Sequence, residues 1–263
     1  EYKDQKSIFG IRESKFYKNT SGKFIEVNGE KLASPMGPAA GPNSQLAQNI
    51  IASYLAGSRF IELKTVQEMD GADLRACVAK PCINVQDEGY NVEWSTELTV
   101  QEAYDEYIKA WFILHVMGKE LGLNNGKDFA FNMSIGYDLE NIKKPKVNNF
   151  IDNMIDASNT PIWKECKSWL LENIASFKNV DAAYVESISA NVCPSATIST
   201  LHGCPPAEIE RIAMHLLETK KLNTFIKSNP TLNGYEFARE LMDKMGYDYV
   251  GFDDHHFNND LQW

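Results

Sequence analysis

The stretch "LASPMGPAAGPNSQLAQNIIASYLAGSRFIELKTV", Leu32 to Val66, decides the fold because a small-residue loop, an apolar helix and an apolar strand follow one another directly. Apolar residues recur at helical spacing after Gln45, and Gly57 marks a plausible end of the helix. The strand "FIELKTV" comes next and carries Lys64 near its end. This order predicts one β-helix-β unit with a cation at the end of its second strand.

Helices and strands continue to alternate along the chain. The segments "FAFNMSIG", "ATISTL", "TFIKSNP" and "YVGF" read as further strands, separated by helical patterns, and bring the predicted count to six core strands. Such repeats imply a parallel sheet, either an open doubly wound sheet or a (β/α)8 barrel. "GPAAG" lacks the G-x-G-x-x-G spacing of dinucleotide-binding sheets, which favours the barrel. Six strands are fewer than the eight of a closed barrel, so we expect an incomplete one.

The predicted domain organisation follows from turn signals and irregular stretches. Asn28-Gly29 lies between two short β-like runs and predicts a hairpin. We expect residues 1–31 to form an N-terminal cap with this hairpin and residues 32–263 to form the partial barrel. Irregular or helical segments at 67–96 and 141–184 are expected to be insertions in that barrel.

Composition excludes several classes of partner. The 263 residues are 43% hydrophobic, enough for one large core or two small ones, and the formal net charge of -10 argues against nucleic-acid and anionic-membrane surfaces. The chain has neither an apolar run long enough to span a bilayer nor an apolar signal core, so a cytoplasmic location is expected. Five cysteines without a CxxC pair predict neither a disulfide framework nor a metal site.

Three polar side chains follow apolar strands at matching places: Lys64, Asn132 and Lys227. The carboxyl ends of barrel strands converge on one mouth, so these residues are expected to meet there. A planar ring that becomes anionic on reduction, such as a flavin, is stabilised by cations at its edge. The alternative is that each lysine extends its ammonium into solvent.

Several strings carry a family resemblance. "ASPMGPAAGP", "FIELKTV", "FNMSIGY" and "FIKSNPTLNGY" resemble the FMN barrel shared by dihydroorotate dehydrogenases and dihydropyrimidine dehydrogenases. "GPAAGPNSQLAQNI", "RFIELKTVQ", "STLHGCPPAEIE" and "LNTFIKSNPTLNGY" are similar to the N-terminal region of the YgfK-type proteins linked to selenate reductase. The resemblance covers nearly the whole chain and implies an α/β fold with a (β/α)8 TIM barrel of dihydroorotate dehydrogenase-like type.

The resemblance also implies cofactors and partners. FMN is expected in this chain, and FAD, NAD(P)H and 4Fe-4S clusters are expected in the remainder of a longer polypeptide. Such a flavo-iron-sulfur oxidoreductase would move electrons between NAD(P)H and an unsaturated heterocycle or another acceptor. The expected partners are the remaining barrel, the FAD and iron-sulfur modules, and molybdenum hydroxylase subunits. The alternative is a degenerate barrel without flavin that serves as a docking scaffold for such a redox partner.

Site residues are implied in the same way. Lys64 and Lys227 match the family's two flavin-contacting lysines, and Asn132 matches a polar flavin neighbour. We expect cofactor contacts from the backbone of Ala39, Ala40 and Gly41 as well, and substrate contacts from Thr197, Ser199 and Asn229.

The string "TISTLHGCPPAEIERI" contains the candidate catalytic residues. Pyrimidine-reducing relatives have N-L-S-C-P-H-G here; Ser199, His202 and Gly203 match, whereas Thr197 replaces the asparagine and leaves the substrate open. Cys204 precedes a predicted helix, whose N-terminal amides favour a thiolate. Cys204 and His202 are therefore candidates for proton transfer. The alternatives are a small buried hydrophobe and a hydrogen-bonded loop histidine.

Overall fold

A computed structural model describes residues 1–77, 98–124, 127–199 and 204–260. Its centre is a parallel four-stranded sheet in the order β5-β6-β7-β8, which comprises Phe60–Glu62, Ala130–Ile135, Ser195–Ile198 and Asn223–Ile226. Two antiparallel hairpins precede the sheet: β1–β2, Ser7–Ile8 with Ile11–Arg12, and β3–β4, Ile25–Val27 with Glu30–Leu32.

Helices connect and cover the strands. The α-helices are α1 Tyr2–Gln5, α2 Ala47–Ala56, α3 Gly71–Cys77, α4 Val100–Glu120, α5 Leu139–Ile142, α6 Pro145–Ile155, α7 Pro161–Glu172, α8 Ala182–Ser187, α9 Pro206–Met214, α10 Tyr235–Lys244 and α11 His255–Asn259. Short 3-10 turns lie at Glu13–Lys15, Pro42–Ser44, Ile174–Ser176 and Pro230–Asn233, and a π-helical turn, His215–Thr219, extends α9. None of the described helices is both long and apolar enough to cross a membrane.

Local sequence signals account for the confirmed elements. Gly57 ends α2 with φ of 118°, a left-handed conformation that glycine adopts without steric cost. Thr99 and Glu102 form a capping box at the start of α4. Asn28 and Gly29 both have positive φ and turn the β3–β4 hairpin as predicted.

The sheet is strongly curved around one face. Strands β5 and β8 are three strand spacings apart, about 14 Å in a flat sheet. Yet the rings of Phe60 and Phe225 lie 5.8 Å apart, and Lys227 Nζ lies 3.3 Å from a carboxylate oxygen of Glu62. Side chains of outer strands therefore meet across the concave face, as they do inside a barrel wall.

The prediction of six core strands differs from the structure, in which the parallel sheet has four strands. No closed barrel forms among the described residues. The stretch ahead of α2 does lie against β5, because Met36 O accepts from Arg59 N and Pro38 O accepts from Glu62 N. It is not a strand, and its backbone approaches very closely: a Cβ on Gly37 would come within 1.5 Å of Phe60 O. Only glycine fits there.

The prediction of a strand at "YVGF" is wrong. Residues 247–252 form turns and irregular backbone after α10. Their carbonyl groups bond to a side chain instead of a strand: the Arg239 guanidinium donates to Val250 O at 2.6 Å and Tyr247 O at 3.1 Å. So short an apolar run has the same pattern in a strand and in irregular backbone, and the sequence alone does not distinguish the two.

The predicted insertions are partly described. The helices expected at 141–184 are present as α6 and α7, together with the second half of α5 and the first half of α8. Of the segment 67–96, residues 67–77 contain α3, and residues 78–96 lie outside the described part of the chain. The boundary between a cap at 1–31 and a barrel at 32–263 stays a prediction.

One face of α10 is apolar but uncovered within the described chain. None of its residues is buried, and the exposed side chains of Phe237 and Leu241 lie on it, with Met245 directly after the helix. The neighbouring strand β8 also exposes Ile226. Exposed apolar side chains of this kind are typical of a surface that packs against further protein.

A buried ion pair joins the amino-terminal ends of the first two sheet strands. Arg59, just before β5, is fully buried, and its Nε donates to Asp128 at 2.9 Å. Asp128 also accepts from the Tyr54 hydroxyl at 3.3 Å, and the guanidinium lies 3.8 Å from the centre of the Tyr54 ring. The pair thereby links α2 to the starts of β5 and β6.

We expect Asp128→Ala to lower the free energy of unfolding by about 3–5 kcal/mol, because it leaves the Arg59 guanidinium charged and unpaired in the core. Chemical denaturation followed by far-UV circular dichroism measures this loss. The matched control is Glu240→Ala, which removes an exposed ion pair with Lys244 and should change stability little. Equal losses in the two variants would contradict the structural role of the buried pair.

A second buried ionisable group lies on α4. His115 packs against the rings of Trp111 and Phe129, with ring centroids 4.7 and 5.2 Å apart. Its Nε2 has no hydrogen-bond partner among the described residues. Burial, assisted by the charge of Lys127, lowers the pKa of His115 from 6.5 to about 3.

His115 should therefore make folding stability depend on pH. Below pH 6.5 the unfolded chain takes up a proton that the folded chain excludes, so stability falls as the pH drops from 6.5 towards 3. His115→Phe removes this pH dependence of the free energy of unfolding, whose slope reaches roughly 1.4 kcal/mol per pH unit. Denaturation of both proteins at about pH 7.5 and about pH 5 measures it. An equal loss of stability between the two pH values in both proteins would contradict a neutral buried His115.

Candidate functional site

The two faces of the sheet differ in chemistry. Phe131 and Met133 are buried in the apolar core, and the Phe131 ring lies 5.3 Å from that of Trp111 on α4. Successive residues of a strand point to opposite faces. The alternate residues of the same strands, among them Asn132 and Thr197, therefore line the concave face, which is polar. We call this concave surface the inner face.

Asn132 is the centre of a buried hydrogen-bond chain on the inner face. Its Oδ1 accepts from Ser195 Oγ at 2.7 Å, and its Nδ2 donates to Thr197 Oγ1 at 2.6 Å. All three residues are buried. The structure thus brings together two predicted site residues, Asn132 and Thr197, and adds Ser195, which the sequence did not single out.

Glu62 connects two other predicted positions. Its Oε2 accepts from the backbone N–H of Ala40 at 3.0 Å and lies 3.3 Å from Lys227 Nζ. The Glu62 side chain is 12% exposed and that of Lys227 41% exposed. The glutamate therefore joins the loop at Ala40 to Lys227, which follows β8. Sequence alternation could have revealed it, because Glu62 and Lys64 are two residues apart and share a strand face.

Lys64 is held inside the protein. Strand pairing with β6 continues past β5, since Leu63 N donates to Asn132 O and Val66 N donates to Ser134 O. The Lys64 N–H donates to Ser44 O at 3.3 Å, and its carbonyl accepts from the Tyr107 hydroxyl at 3.0 Å. Lys64 is only 2% exposed, which excludes the alternative that its ammonium extends into solvent.

The loop that contains Ala39, Ala40 and Gly41 is organised by Ser44. The Gly41 N–H donates to Ser44 Oγ at 3.3 Å, and Ser44 Oγ lies 3.4 Å from Ala39 O. Ser44 is fully buried, whereas Ala39 is exposed. A Cβ on Gly41 would meet only Ala39 O, at 3.8 Å, so the space beside this backbone is open.

The other predicted substrate residues have separate surroundings. The Ser199 N–H donates to Ile135 O at 2.9 Å and extends the pairing of β7 with β6. Asn229 donates to Asp260 at 3.3 Å, beside the Thr231 hydroxyl, which donates to the same carboxylate at 2.7 Å. These bonds link Asn229 to Asp260 within the described chain, and its substrate role stays a prediction.

The candidate catalytic residues are only partly described. His202 and Gly203 lie outside the described part of the chain. Cys204 lies two residues before the first residue of α9 and is half-buried against the apolar core. The catalytic assignments of Cys204 and His202 therefore stay predictions.

An apolar groove lies away from the inner face. It has a volume of about 630 Å³ and runs between the β1–β2 hairpin, α4 and α7, with Phe9 and Trp169 among its lining residues. Cys166 also lines it, and burial raises the pKa of this thiol to about 11. A thiol with a raised pKa is a poor nucleophile, so the groove has no evident catalytic chemistry.

The inner face has the groups that an anionic or electron-accepting ligand requires. Lys64 and Lys227 follow the carboxyl ends of β5 and β8, and the Asn132 amide and the Thr197 hydroxyl lie within β6 and β7 between them. The backbone of the small-residue loop contacts the same face through Glu62. Ligand sites in parallel α/β barrels occur at this end of the strands. The fold and the site define an α/β protein of TIM-barrel type with a candidate ligand site at the strand ends.

Comparison with known proteins gives the family. Residues 9–263 match the family described as "Oxidoreductase YgfK, N-terminal TIM-barrel domain", and the chain belongs to this family. It is 47% identical over 274 residues to "Putative oxidoreductase YgfK" of Escherichia coli K12 and to the protein of the same name from Escherichia coli O157:H7. These alignments cover 100% of this chain and 26% of each relative, so the chain spans about a quarter of their length. No solved structure matches.

The family assignment confirms the predicted relationship to YgfK-type proteins and the α/β TIM-barrel class. It also identifies the chain as part of an oxidoreductase family. The finer predictions of FMN, substrate and partners are proposals that rest on the residues of the inner face.

Thr197→Val should destabilise the protein by about 1–3 kcal/mol, because it removes the acceptor of the buried Asn132 Nδ2 while keeping a similar shape. Thr197→Ser retains the hydroxyl and serves as the matched control, with a smaller loss expected. Chemical denaturation of the three proteins measures the difference. If valine and serine cost the same, the hydrogen bond does not stabilise the inner face.

Proposed function

We propose that the inner face binds FMN and that the chain is the flavin-binding segment of a multi-cofactor oxidoreductase. The observation that carries the proposal is the placement of Lys64 and Lys227 on the concave face of one parallel sheet, with Asn132 between them. Lys64 is only 2% exposed, and it shares a strand face with Glu62. Each of these three residues lies in one of the strings that resemble FMN barrels, "FIELKTV", "FNMSIGY" and "FIKSNPTLNGY".

The residues present fit a flavin in two respects. Cations near a flavin ring stabilise the negative charge that the ring gains on reduction. The open space beside Gly41 allows the loop backbone to approach a flat ring. The Ala40 N–H already donates to Glu62, so this group supports the loop and does not itself offer a donor to the cofactor.

The proposed chemistry is hydride transfer. Bound FMN would supply two-electron chemistry: it would take up two electrons, delivered from NAD(P)H through the partner modules, together with two protons, and would pass a hydride and a proton to an unsaturated heterocycle or another acceptor. Lys227 and Lys64 would hold the ring and offset its charge. Cys204 and His202 are the proposed proton donors, and Thr197 with Ser199 and Asn229 the proposed substrate contacts.

The partners belong to the same proposal. The relatives are about four times as long as this chain, and FAD, NAD(P)H and 4Fe-4S sites are proposed for the additional modules. The uncovered apolar side chains of α10 and β8 support packing against further barrel elements. A molybdenum hydroxylase subunit is the proposed external partner.

Absorbance spectroscopy of the natural full-length polypeptide tests FMN binding. We expect about one FMN per chain, released on denaturation and identified by chromatography. Lys64→Met should lower FMN content, because a buried cation is lost from the site, and Lys227→Met should lower the flavin midpoint potential, because the reduced anion loses a charge partner. Lys23→Met, at an exposed position of the N-terminal region, is the matched control and should change neither quantity.

Two results would contradict the proposal. Purified full-length protein without FMN would favour the alternative of a docking scaffold, especially if a molybdenum hydroxylase co-purified with it. A flavin-containing protein whose content and potential were unaffected by both lysine substitutions would place the flavin elsewhere in the polypeptide.

A further inference from the structure

We propose that Glu62 is the residue that positions Lys227 and tunes its charge at the inner face. This inference rests on the proposed function, since it concerns the effect of Glu62 on a bound flavin. Neither the sequence pattern nor the resemblance pointed to this residue. Its assignment comes from the contacts of its carboxylate.

The carboxylate of Glu62 contacts two residues that lie far apart in the sequence, Ala40 and Lys227. One carboxylate oxygen, Oε2, accepts from the Ala40 N–H at 3.0 Å and lies 3.3 Å from Lys227 Nζ; the other lies 3.5 Å from Lys227 Nζ. The Glu62 side chain is 12% exposed and that of Lys227 41% exposed, so solvent screens this interaction in part. The carboxylate therefore holds the lysine over the concave face and holds the loop at the same time.

The charge of Glu62 opposes the charge of Lys227. A flavin edge near Lys227 experiences the sum of both, so the carboxylate reduces the stabilisation that the ammonium gives to an anionic ring. Removal of the negative charge should therefore raise the flavin midpoint potential, opposite to the effect of Lys227→Met. A residue with only a structural role would not raise the potential.

Two substitutions separate the two contacts. Glu62→Gln keeps an oxygen acceptor for Ala40 but loses the charge that faces Lys227. Glu62→Ala loses both. In the natural full-length polypeptide, Glu62→Gln should retain FMN and raise its midpoint potential, whereas Glu62→Ala should raise the FMN dissociation constant about tenfold through loss of the loop anchor. Glu26→Gln, at an exposed position of the β3–β4 hairpin, is the matched control.

Spectroelectrochemical titration and FMN titration of the apoprotein measure these quantities. In the double variant Glu62→Gln with Lys227→Met, the rise in potential over Lys227→Met alone should be smaller than the rise that Glu62→Gln causes in the wild type, because the part of the effect that acts through the position of Lys227 is lost. A flavin-bearing wild type whose potential is unchanged or lowered in Glu62→Gln would overturn the role of Glu62 and leave FMN binding intact. Wild-type polypeptide without FMN would overturn both.

Discussion

The buried contact between Arg59 and Asp128 is the constraint on which the rest of the sheet depends. Both residues lie at the amino-terminal ends of strands, so their pairing aligns β5 with β6 from the side opposite the candidate site. The Ala130 N–H donates to Arg59 O at 2.8 Å, directly beside the pair. A wrong alignment by one residue would turn every side chain of β5 to the other face. The ion pair thus stabilises the amino-terminal ends of the strands, at the end of the sheet opposite the candidate site.

That alignment gives the two faces of the sheet different characters. On the outer face the Phe131 ring packs against Trp111 of α4, whereas the inner face pairs Asn132 with Thr197 and Glu62 with Lys227, beside the rings of Phe60 and Phe225. A barrel interior is usually filled by branched apolar side chains. Polar groups on this face lose contacts with water, and they are tolerated because each has a partner within hydrogen-bond distance. The family to which the chain belongs is described as the N-terminal TIM-barrel domain of an oxidoreductase, and the polar groups of this face are the basis of the flavin-binding proposal.

The sequence predicted those parts of the structure that local rules determine. Gly57, Asn28 and Gly29 act through their own backbone conformations, and the long helix α4 follows from apolar periodicity. The strand predicted at "YVGF" is absent, and the Val250 carbonyl accepts from Arg239 instead, a contact that no local pattern contains. Lys64, Asn132 and Lys227 were identified from their places after apolar strands. Glu62 was missed, although its alternation with Lys64 places both on one face, because an acidic residue matched no expected ligand of a flavin.

The contact between Glu62 and Lys227 also bears on how the chain folds. The two residues are 165 positions apart in sequence, and the sheet order places two other strands between theirs. Closing a loop of that length costs several kcal/mol of chain entropy before any contact repays it. The contact can therefore form only after β6 and β7 have paired in register. We therefore expect assembly of the inner face to be a late event in folding, whereas the backbone hydrogen bonds within helices such as α2 and α4 are local and can form before it.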